Sequence, residues 1–345
     1  MQNAECSIVA EFARIRMAAV AVLVGWAVPT ICYADEPKAA VIVVVGAEGE
    51  ATYGEQFRKW AGRWEAAAKK ASAELTMIGL AEASGKSDRD LLTERLTELA
   101  KAPSTEAVWL VLIGHGTFDG KTARFNMRGA DITPAELGAL VKPIERPQAI
   151  INCASASGPF VPELSAKNRV VITATKSGPE YNFARFGDYL SSAIGELKAD
   201  LDKDDQVSLL EAYLMAAGGV NEFYKTEARL ATEHALLDDN GDKLGTPPDF
   251  FQGVRAVKSA KSGAAPDGLA ASQLVLIRNA AEEKLPAQVR ARRDELERNL
   301  ADLRIKKSKL PEEEYFALLE PLLIELSKLY ESAGNNADRP QSPPP

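Results

Sequence analysis

A histidine and a cysteine each follow a short apolar run in this sequence. Residues 107–113 lead to His115, and residues 148–151 lead to Cys153. A nearby imidazole can take up the proton of a thiol and so produce the thiolate, the nucleophilic form of cysteine. The two residues therefore predict a Cys/His dyad, with Cys153 as nucleophile and His115 as general base.

Both runs are typical of buried strands, because they are short, rich in Val and Ile and flanked by turn residues. If the two strands are neighbours in one parallel sheet, their carboxyl ends meet at the same edge, where open α/β sheets bind ligands. Further strands are predicted over 39–46, 74–80 and 169–174, with helices between them, the first over 56–71. We therefore expect a doubly wound, mostly parallel α/β sheet with helices on both faces, within residues 35–258.

Residues 1–34 have the pattern of a secretory signal peptide. Arg14 and Arg16 precede an apolar stretch over 17–28, and small residues lead up to a cleavage point after Ala34. The apolar stretch is shorter than the roughly 20 residues that a membrane-spanning helix needs. We therefore expect export to the periplasm or the extracellular space, with an uncleaved N-terminal anchor as the alternative.

Cleavage after residue 34 would remove Cys6 and Cys32 and leave Cys153 as the single cysteine. A lone thiol in an oxidising compartment is expected to be reactive, although a buried structural cysteine is the alternative. Ser155 and Ser157 follow closely, but no Gly-x-Ser-x-Gly elbow surrounds them, so a serine nucleophile is not predicted. The second histidine of the chain, His234, is expected to be structural unless the Cys153/His115 dyad fails.

The order of these motifs resembles the caspase-like superfamily of cysteine peptidases, in particular legumain and its bacterial relatives. The resemblance covers residues 38–255 and rests on a strand ending in His115 and Gly116, a later strand ending in Cys153, and the downstream segment 171–175. It implies that His115 is the catalytic histidine and Cys153 the nucleophile. It also implies that the backbone N–H groups of Gly116 and Cys153 are the oxyanion donors.

The activity implied by this resemblance is endopeptidase hydrolysis of peptide bonds through an acyl-thioester on Cys153. A peptide or protein is then the substrate, and no cofactor is needed for catalysis. Cys153 lies between Asn152 and Ala154, where caspases carry Gln-Ala-Cys followed by Gly, so a preference for aspartate is not expected. The alternatives are a non-catalytic caspase-like binding or scaffold protein and a transamidase that uses the same dyad.

Two loops are expected to select the substrate, residues 48–54 after the first strand and residues 175–185 after the fifth. Within the second loop, Arg185 and Glu180 are the candidates to contact a charged side chain. The net charge of the chain is −8, and residues 35–269 carry most of it. Nucleic acid is therefore excluded as a partner, because its phosphates require a basic surface.

Residues 200–211 fit the twelve-residue calcium-binding loop of EF-hands at nearly every ligand position. Oxygen ligands are offered by the backbone carbonyl of Gln206 and by the side chains of Asp200, Asp202, Asp204, Ser208 and Glu211. Asp205 replaces the glycine of the sixth position, and aspartate tolerates the left-handed conformation needed there. We therefore predict a structural Ca²⁺ near the substrate cleft and calcium-dependent activity, with a solvated acidic helix cap as the alternative. The acidic stretch 238–242 is interpreted as a hydrophilic turn.

Beyond residue 258 the composition changes. Residues 259–269 are rich in Ser, Ala, Gly and Pro and are interpreted as a linker. Leucines then recur at helical spacing over 296–303 and 319–329, which predicts an antiparallel helical hairpin within residues 270–332. The hairpin is expected to cover the main domain or to mediate self-association. The polar, proline-rich end, residues 333–345, is predicted to be disordered.

Overall fold

The computed structural model describes residues 38–81, 85–258 and 266–337, so the signal segment with Cys6 and Cys32 lies outside the described residues, as do 259–265 of the linker. The strands of the described ranges are β1 (Ala40–Val45), β2 (Glu74–Ile78), β3 (Val108–Ile113), β4 (Gly116–Phe118), β5 (Ala123–Phe125), β6 (Gln148–Asn152), β7 (Arg169–Thr173), β8 (Leu236–Asp238), β9 (Phe251–Gln252) and β10 (Arg255–Ala256). The helices are α1 (Ala51–Lys70), α2 (Asp88–Lys101), α3 (Pro134–Val141), α4 (Phe160–Leu164), α5 (Phe186–Ala193), α6 (Leu209–Thr226), α7 (Leu269–Gln273), α8 (Ala280–Glu283), α9 (Ala287–Lys306) and α10 (Glu312–Ala337).

One six-stranded sheet organises the protein, in the order β2-β1-β3-β6-β7-β8. Neighbouring strands from β2 to β7 pair in parallel, and β8 runs antiparallel to β7. Every residue of β1, β3, β6 and β7 is buried, as expected for parallel strands that are covered on both faces. This confirms the mostly parallel sheet predicted from the apolar runs.

Helices pack on both faces of the sheet and build a separate core on each. The first core lies between the sheet and α1, α5 and α6, and it contains Trp60, Trp64 and Tyr213. The second lies under α2, α3 and α4 and contains leucines such as Leu92 and Leu137. Burying each large apolar side chain contributes about 1.5–3 kcal/mol, so the two cores together hold the sheet edges and the loops that follow them in place.

Several short elements differ from the predicted pattern. α1 begins at Ala51 and not at residue 56, and β4 and β5 form a small hairpin immediately after His115. Asp119 closes that hairpin by accepting the amides of Lys121 and Thr122. Strands of three residues carry too little hydrophobic alternation to be seen in sequence, which is why the hairpin was not predicted.

The C-terminal segment forms the predicted helical pair. α9 and α10 pack against each other, and α9 buries three leucines: Leu296, Leu300 and Leu303. α10 continues to Ala337, so residues 333–337 are helical, in contrast to the predicted disordered tail. Arg278 and Arg290 both bind the buried carboxylate of Glu106, just before β3, and so attach this segment to the sheet.

Part of the apolar surface of α10 stays exposed in this arrangement, namely the side chains of Phe316, Leu318, Leu323, Ile324 and Tyr330. Self-association through these helices stays a prediction. Among the helices in the described ranges, none has the length and apolar character that a membrane span requires.

Candidate active site

The carboxyl ends of β3 and β6 lie side by side in the sheet. The two strands pair in parallel, with Leu112 opposite Asn152 in the register. His115 follows the end of β3 by two residues, and Cys153 follows β6 directly. The expectation that both motifs leave the sheet at the same edge is therefore confirmed.

His115 lies among aromatic rings at this edge and is partly exposed. Its ring meets Tyr53, Phe57 and Phe183 edge to face, with centroid distances of 4.9, 5.2 and 6.1 Å. Its Nε2 lies 3.3 Å from the Glu48 carbonyl oxygen. Burial lowers the pKa of His115 below its usual value, so the imidazole is neutral at neutral pH and able to accept a proton.

Cys153 lies inside the first core and not at the solvent edge. Its side chain is 1% exposed, and a Cβ added to Gly187 would lie only 2.9 Å from the Cys153 Cβ and 2.8 Å from the Trp60 ring. Its backbone N–H donates to the Leu112 carbonyl at 2.9 Å. Burial, together with the charge of Glu233, raises the pKa of the thiol to about 12. These observations argue against Cys153 as nucleophile, and its N–H is already engaged and cannot serve as an oxyanion donor.

Alkylation kinetics test this placement in the mature chain from residue 35, where Cys153 is the single cysteine. With a thiol pKa of about 12, only about 10⁻⁵ of the cysteine is thiolate at pH 7. We expect iodoacetamide to react at least about 10²-fold more slowly than with free cysteine, and the rate to keep rising with pH beyond pH 9. Unfolding in guanidinium should restore the ordinary rate. A fast reaction that levels off near pH 8 in the folded protein would contradict this.

Ser155, two residues beyond Cys153, lies against the residue that follows His115. Its Oγ accepts a hydrogen bond from the Gly116 N–H at 3.1 Å and donates one to the Gly116 carbonyl, also at 3.1 Å. This close approach requires glycine, because a Cβ at position 116 would lie 2.1 Å from the Ser155 carbonyl oxygen. The fold therefore brings a hydroxyl, and not the thiol, to the histidine segment.

Two backbone amides at this point can stabilise negative charge on a substrate oxygen. The Gly116 N–H is directed at Ser155 Oγ, and the Ser155 N–H donates to no group in the described part of the chain. Amides held in this way act as oxyanion donors, each worth about 10²–10³ in rate. The Gly116 N–H is engaged by Ser155 Oγ and becomes available only if that side chain turns away, whereas the Cys153 N–H is engaged by the sheet backbone.

The alternation of side chains along β6 accounts for the burial of Cys153. Ala149, Ile151 and Cys153 face the first core, whereas Ile150 and Ala154 face the second. Strand side chains alternate with a period of two, so Cys153 continues the inward series beyond the last paired residue. Ser155 has the same parity as Cys153, so the alternation places the cysteine in the core but does not distinguish it from the serine, which follows after the strand has ended.

The turn that carries Ser155 is held rigidly by the loop after β7. Ala156 adopts a φ of +52° and donates its N–H to the Glu180 carbonyl at 2.8 Å. The amides of Ser157 and Thr175 each donate to the other's hydroxyl. Ser157 is therefore structural, and the loop after β7 lies directly beside Ser155.

Both loops expected to select the substrate border His115. The loop after β1 contributes the Glu48 carbonyl, the first turn of α1 contributes the Tyr53 ring, and the loop after β7 contributes Phe183. Tyr53 and Phe183 also stack on each other, with ring centroids 4.7 Å apart. A peptide at this edge would therefore meet an aromatic wall next to the histidine.

The two charged candidates of the second loop have partners within the protein. The Glu180 carboxylate binds His234 Nδ1 at 2.5 Å and the Lys176 amide at 2.9 Å. The Arg185 guanidinium lies over the Phe223 ring, 4.2 Å from its centroid. Their contact with a substrate stays a prediction, and His234 acts here as the partner of Glu180.

The aspartates at the start of the EF-hand-like segment lie close together. Carboxylate oxygens of Asp200, Asp202 and Asp204 all lie within 4.8 Å of one another. Asp205 has a φ of +67°, the left-handed conformation expected at the sixth position. Burial, followed by repulsion from Glu211 and the other aspartates, raises the pKa of Asp202. A cation of the Ca²⁺ type would relieve this repulsion.

The structure uses the remaining predicted ligands differently. The Glu211 carboxylate accepts hydrogen bonds from the amide and the hydroxyl of Ser208, which caps α6, and from two amides of the loop. The Gln206 side chain donates to Asp204 at 2.8 Å. Glu211 therefore completes the capping box of α6 together with Ser208, which is the helix-cap role given above as the alternative to calcium binding. Only Asp200, Asp202 and Asp204 form a carboxylate cluster.

This segment lies at the amino-terminal edge of the sheet. Asp202 and Asp204 line a cleft together with Ala39, Glu106 and Pro147, each of which comes shortly before a strand. Ser155 lies at the opposite, carboxyl edge. The expected position near the substrate cleft is therefore wrong, because α5 carries the chain from one edge to the other before the segment begins.

Calcium is accordingly expected to act through this segment on stability and not on catalysis. A ligand present at 100 times its Kd stabilises the folded state by about 2.7 kcal/mol. We expect excess Ca²⁺ to raise the Tm of the wild-type protein relative to EDTA, and Asp202→Asn to reduce that rise, as measured by calorimetry. An Asp202→Asn variant with the full wild-type rise would show that this cluster binds no calcium.

Comparison with solved structures retrieves caspases and a bacterial protein. Caspase-1 from Spodoptera frugiperda matches at 9% identity with a TM-score of 0.38, over 59% of this chain and 87% of that chain. The Drosophila initiator caspase Dronc matches at 13% identity with a TM-score of 0.39, over 58% and 78%. A protein from Geobacter sulfurreducens matches at 12% identity with a TM-score of 0.38, over 61% and 98%. The chain is similar in fold to caspases.

No protein-family model and no curated protein matches the sequence. At identities of 13% or less to the caspases, the likeness concerns the fold alone. The chemistry must therefore be argued from the residues of this chain.

Proposed function

We propose that this protein is an exported peptidase of caspase-like fold that attacks the peptide bond with the Ser155 hydroxyl in place of a cysteine thiol. The observation that carries the proposal is the contact of Ser155 Oγ with the Gly116 N–H at 3.1 Å, next to His115. Two adjacent strand ends thus supply a nucleophile, a base and an oxyanion donor. Both candidates are buried, Ser155 at 3% and Cys153 at 1% exposed, but Cys153 belongs to the apolar core, whereas Ser155 contacts the backbone of the histidine segment.

In the proposed reaction, rotation of the Ser155 side chain moves Oγ away from Gly116 and leaves that N–H free. Oγ attacks the substrate carbonyl carbon while its proton passes to His115, and the Gly116 and Ser155 amides bind the resulting oxyanion. Collapse breaks the C–N bond, the leaving amine takes the proton from His115, and an acyl ester stays on Ser155. Water, deprotonated by His115, then releases the acid and restores the hydroxyl.

The exported location is proposed from the signal-peptide pattern of residues 1–34. The substrate is proposed to be an extended peptide that lies across the carboxyl edge of the sheet, between the loops after β1 and β7. Support for this comes from Tyr53 and Phe183, which border His115 from the first turn of α1 and the loop after β7.

A fluorophosphonate probe tests the proposed nucleophile directly, because it forms a stable adduct only with an activated hydroxyl. We expect the mature protein to be labelled on Ser155, as located by peptide mass spectrometry, and labelling to fall to background in His115→Ala. The same protein should cleave members of a peptide library. Products joined to an added amine, in place of hydrolysed products, would identify a transamidase that uses the same residues.

The pH dependence of cleavage should follow the ionisation of His115. A general base must be unprotonated, and burial lowers the pKa of His115 from its usual 6.5. The rate should therefore rise with pH through an inflection below 6.5 and be at its plateau at neutral pH. A plot of kcat/KM against pH measures this, and an acid inflection above pH 7 would contradict His115 as the base.

A non-catalytic peptide-binding protein is the second candidate, favoured by the hydrogen bonds of the two reacting groups. Ser155 Oγ bonds both backbone groups of Gly116, and His115 Nε2 lies next to the Glu48 carbonyl. Within the described residues no hydrogen bond joins His115 to Ser155. If labelled peptides bind in fluorescence anisotropy but are never cleaved, and no probe reacts, this candidate replaces the peptidase.

A further inference from the structure

A second acidic loop follows β8 and repeats the oxygen spacing of residues 200–211. Counting from Asp238, oxygen-bearing side chains fall at the first, third, fifth, ninth and twelfth positions: Asp238, Asn240, Asp242, Thr246 and Asp249. These are ligand positions of an EF-hand loop. Residues 238–242 alone are too short for such a loop, but the spacing continues to Asp249.

The backbones of the two loops follow the same path. The φ angles at the fourth and sixth positions are +67° for both Lys203 and Asp205, and +79° and +70° for Gly241 and Lys243. In both loops the first aspartate accepts the amide of the fourth residue, and the fifth accepts the amide of the seventh. The chain therefore forms the same turn twice.

One carboxylate oxygen of the second loop is left without a partner. Asp238 is fully buried, and its carboxylate has two neighbouring donors: Oδ1 accepts an amide of the loop, and the Ser165 hydroxyl interacts with the group. Its Oδ2 still has no partner with hydrogen-bonding geometry within the described chain. In the first loop the corresponding oxygen of Asp200 accepts the Asp205 N–H. In the second loop that amide belongs to Lys243 and is donated to Ser165. A buried carboxylate oxygen with no donor is costly unless a cation binds it.

The charges around this oxygen are negative. The carboxylates of Asp242 and Asp267 both act electrostatically on Asp238. Asp267 is stabilised by the amides of Asp239 and Asn240, but no such donor reaches Asp238 Oδ2. The loop thus concentrates negative charge around one unsatisfied oxygen.

We infer that residues 238–249 bind a divalent cation of the calcium type, with Asp238 Oδ2 and the Asp242 carboxylate as its charged ligands. Oxygen donors on a loop suit Ca²⁺, whereas transition metals prefer nitrogen and sulfur. Asp238 pairs with Val171 and Leu236 with Thr173, so antiparallel β8 runs towards the amino-terminal edge, away from Ser155. The cation therefore stabilises the edge strand and takes no part in the chemistry.

Terbium luminescence can detect this site in the mature protein. The Tyr213 hydroxyl donates to the Thr246 carbonyl at 2.9 Å, so a Tb³⁺ ion in this loop lies near a tyrosine that can sensitise its emission. We expect sensitised emission in the wild-type protein, displaced by CaCl₂. Asp242→Asn should remove most of it and weaken calcium competition at least tenfold. The matched control is Asp204→Asn, the fifth position of the other loop, which should keep the emission.

Equal emission and equal calcium competition in Asp242→Asn and the wild type would overturn the inference, as would a wild type without calcium-sensitive emission. Asp238→Asn provides a second test, because it removes the charge and keeps the shape of the side chain. This variant should lose the calcium-sensitive Tb³⁺ emission while its Tm in EDTA is no lower than that of the wild type. A lower Tm in EDTA would show that the carboxylate is satisfied without a metal.

Discussion

Ser155→Ala is expected to abolish acyl transfer, lowering kcat/KM and the rate of fluorophosphonate labelling at least about 10³-fold, as for loss of the nucleophile in other hydrolases. The immediate neighbours of Ser155, Ala154 and Ala156, carry no nucleophilic atom that could replace the lost hydroxyl. The variant should fold normally, because it loses only two hydrogen bonds to Gly116. Circular dichroism and thermal unfolding check that point.

The matched control is Cys153→Ala, which removes the thiol of the other candidate nucleophile, two positions earlier in the sequence. It should leave kcat/KM within about threefold of the wild type, while the small cavity in the core lowers the free energy of unfolding by about 1–2 kcal/mol. The opposite pattern, with Cys153→Ala inactive and Ser155→Ala active, would return the nucleophile to the thiol. The wild-type protein and both variants could also all fail to cleave any peptide. That result would favour the non-catalytic peptide-binding function over the peptidase.

Gly116→Ala is expected to cost about 10²–10³ in kcat/KM, the range found when an oxyanion donor is lost. The added methyl group would lie 2.1 Å from the Ser155 carbonyl oxygen and 3.1 Å from the Arg124 carbonyl oxygen. Both contacts are with backbone atoms, so the turn that carries the nucleophile has to move. Displacing this turn misaligns the Ser155 hydroxyl and the Gly116 N–H at the same time.

Gly62→Ala is the control for Gly116→Ala, because it shows what a glycine-to-alanine change does at a position outside the site. Gly62 lies in α1, and a Cβ there would meet nothing within 4 Å. Gly62→Ala should leave kcat/KM unchanged and stabilise the protein by about 0.5–1 kcal/mol, because alanine favours the helix. Steady-state kinetics and thermal unfolding of both variants provide the comparison. Wild-type kinetics in Gly116→Ala would remove Gly116 from the site.

Hydrophobic periodicity alone was sufficient to predict the sheet and its edge. Unbroken Val/Ile runs such as β1 and β3 are buried on both faces, and the βα alternation that surrounds them permits few arrangements. The position of His115 next to the end of β6 followed from the same reasoning. The helical spacing of leucines likewise predicted α9 and α10.

The loop elements depended on tertiary packing and were predicted less well. The β4–β5 hairpin and the antiparallel strand β8 are too short to show a period. β8 forms by pairing with the free edge of β7, and β4 and β5 pair with each other as a separate two-stranded sheet. The location of the 200–211 segment at the amino-terminal edge depends on the path of α5, which no local pattern specifies. The burial of Asp238 is likewise visible only in three dimensions.

The sequence by itself determined that a histidine and a small cluster of cysteine and serine leave neighbouring strands of one parallel sheet. Which side chain of that cluster contacts the residue after the histidine, Gly116, was decided by the tertiary structure. Cys153 and Ser155 differ by two residues, and both have nucleophilic atoms, so their chemistry does not distinguish them. The distinction arises because α1 and α5 cover one of them with Trp60 and Gly187, while the turn beyond Ala154 presses the other against the backbone of Gly116.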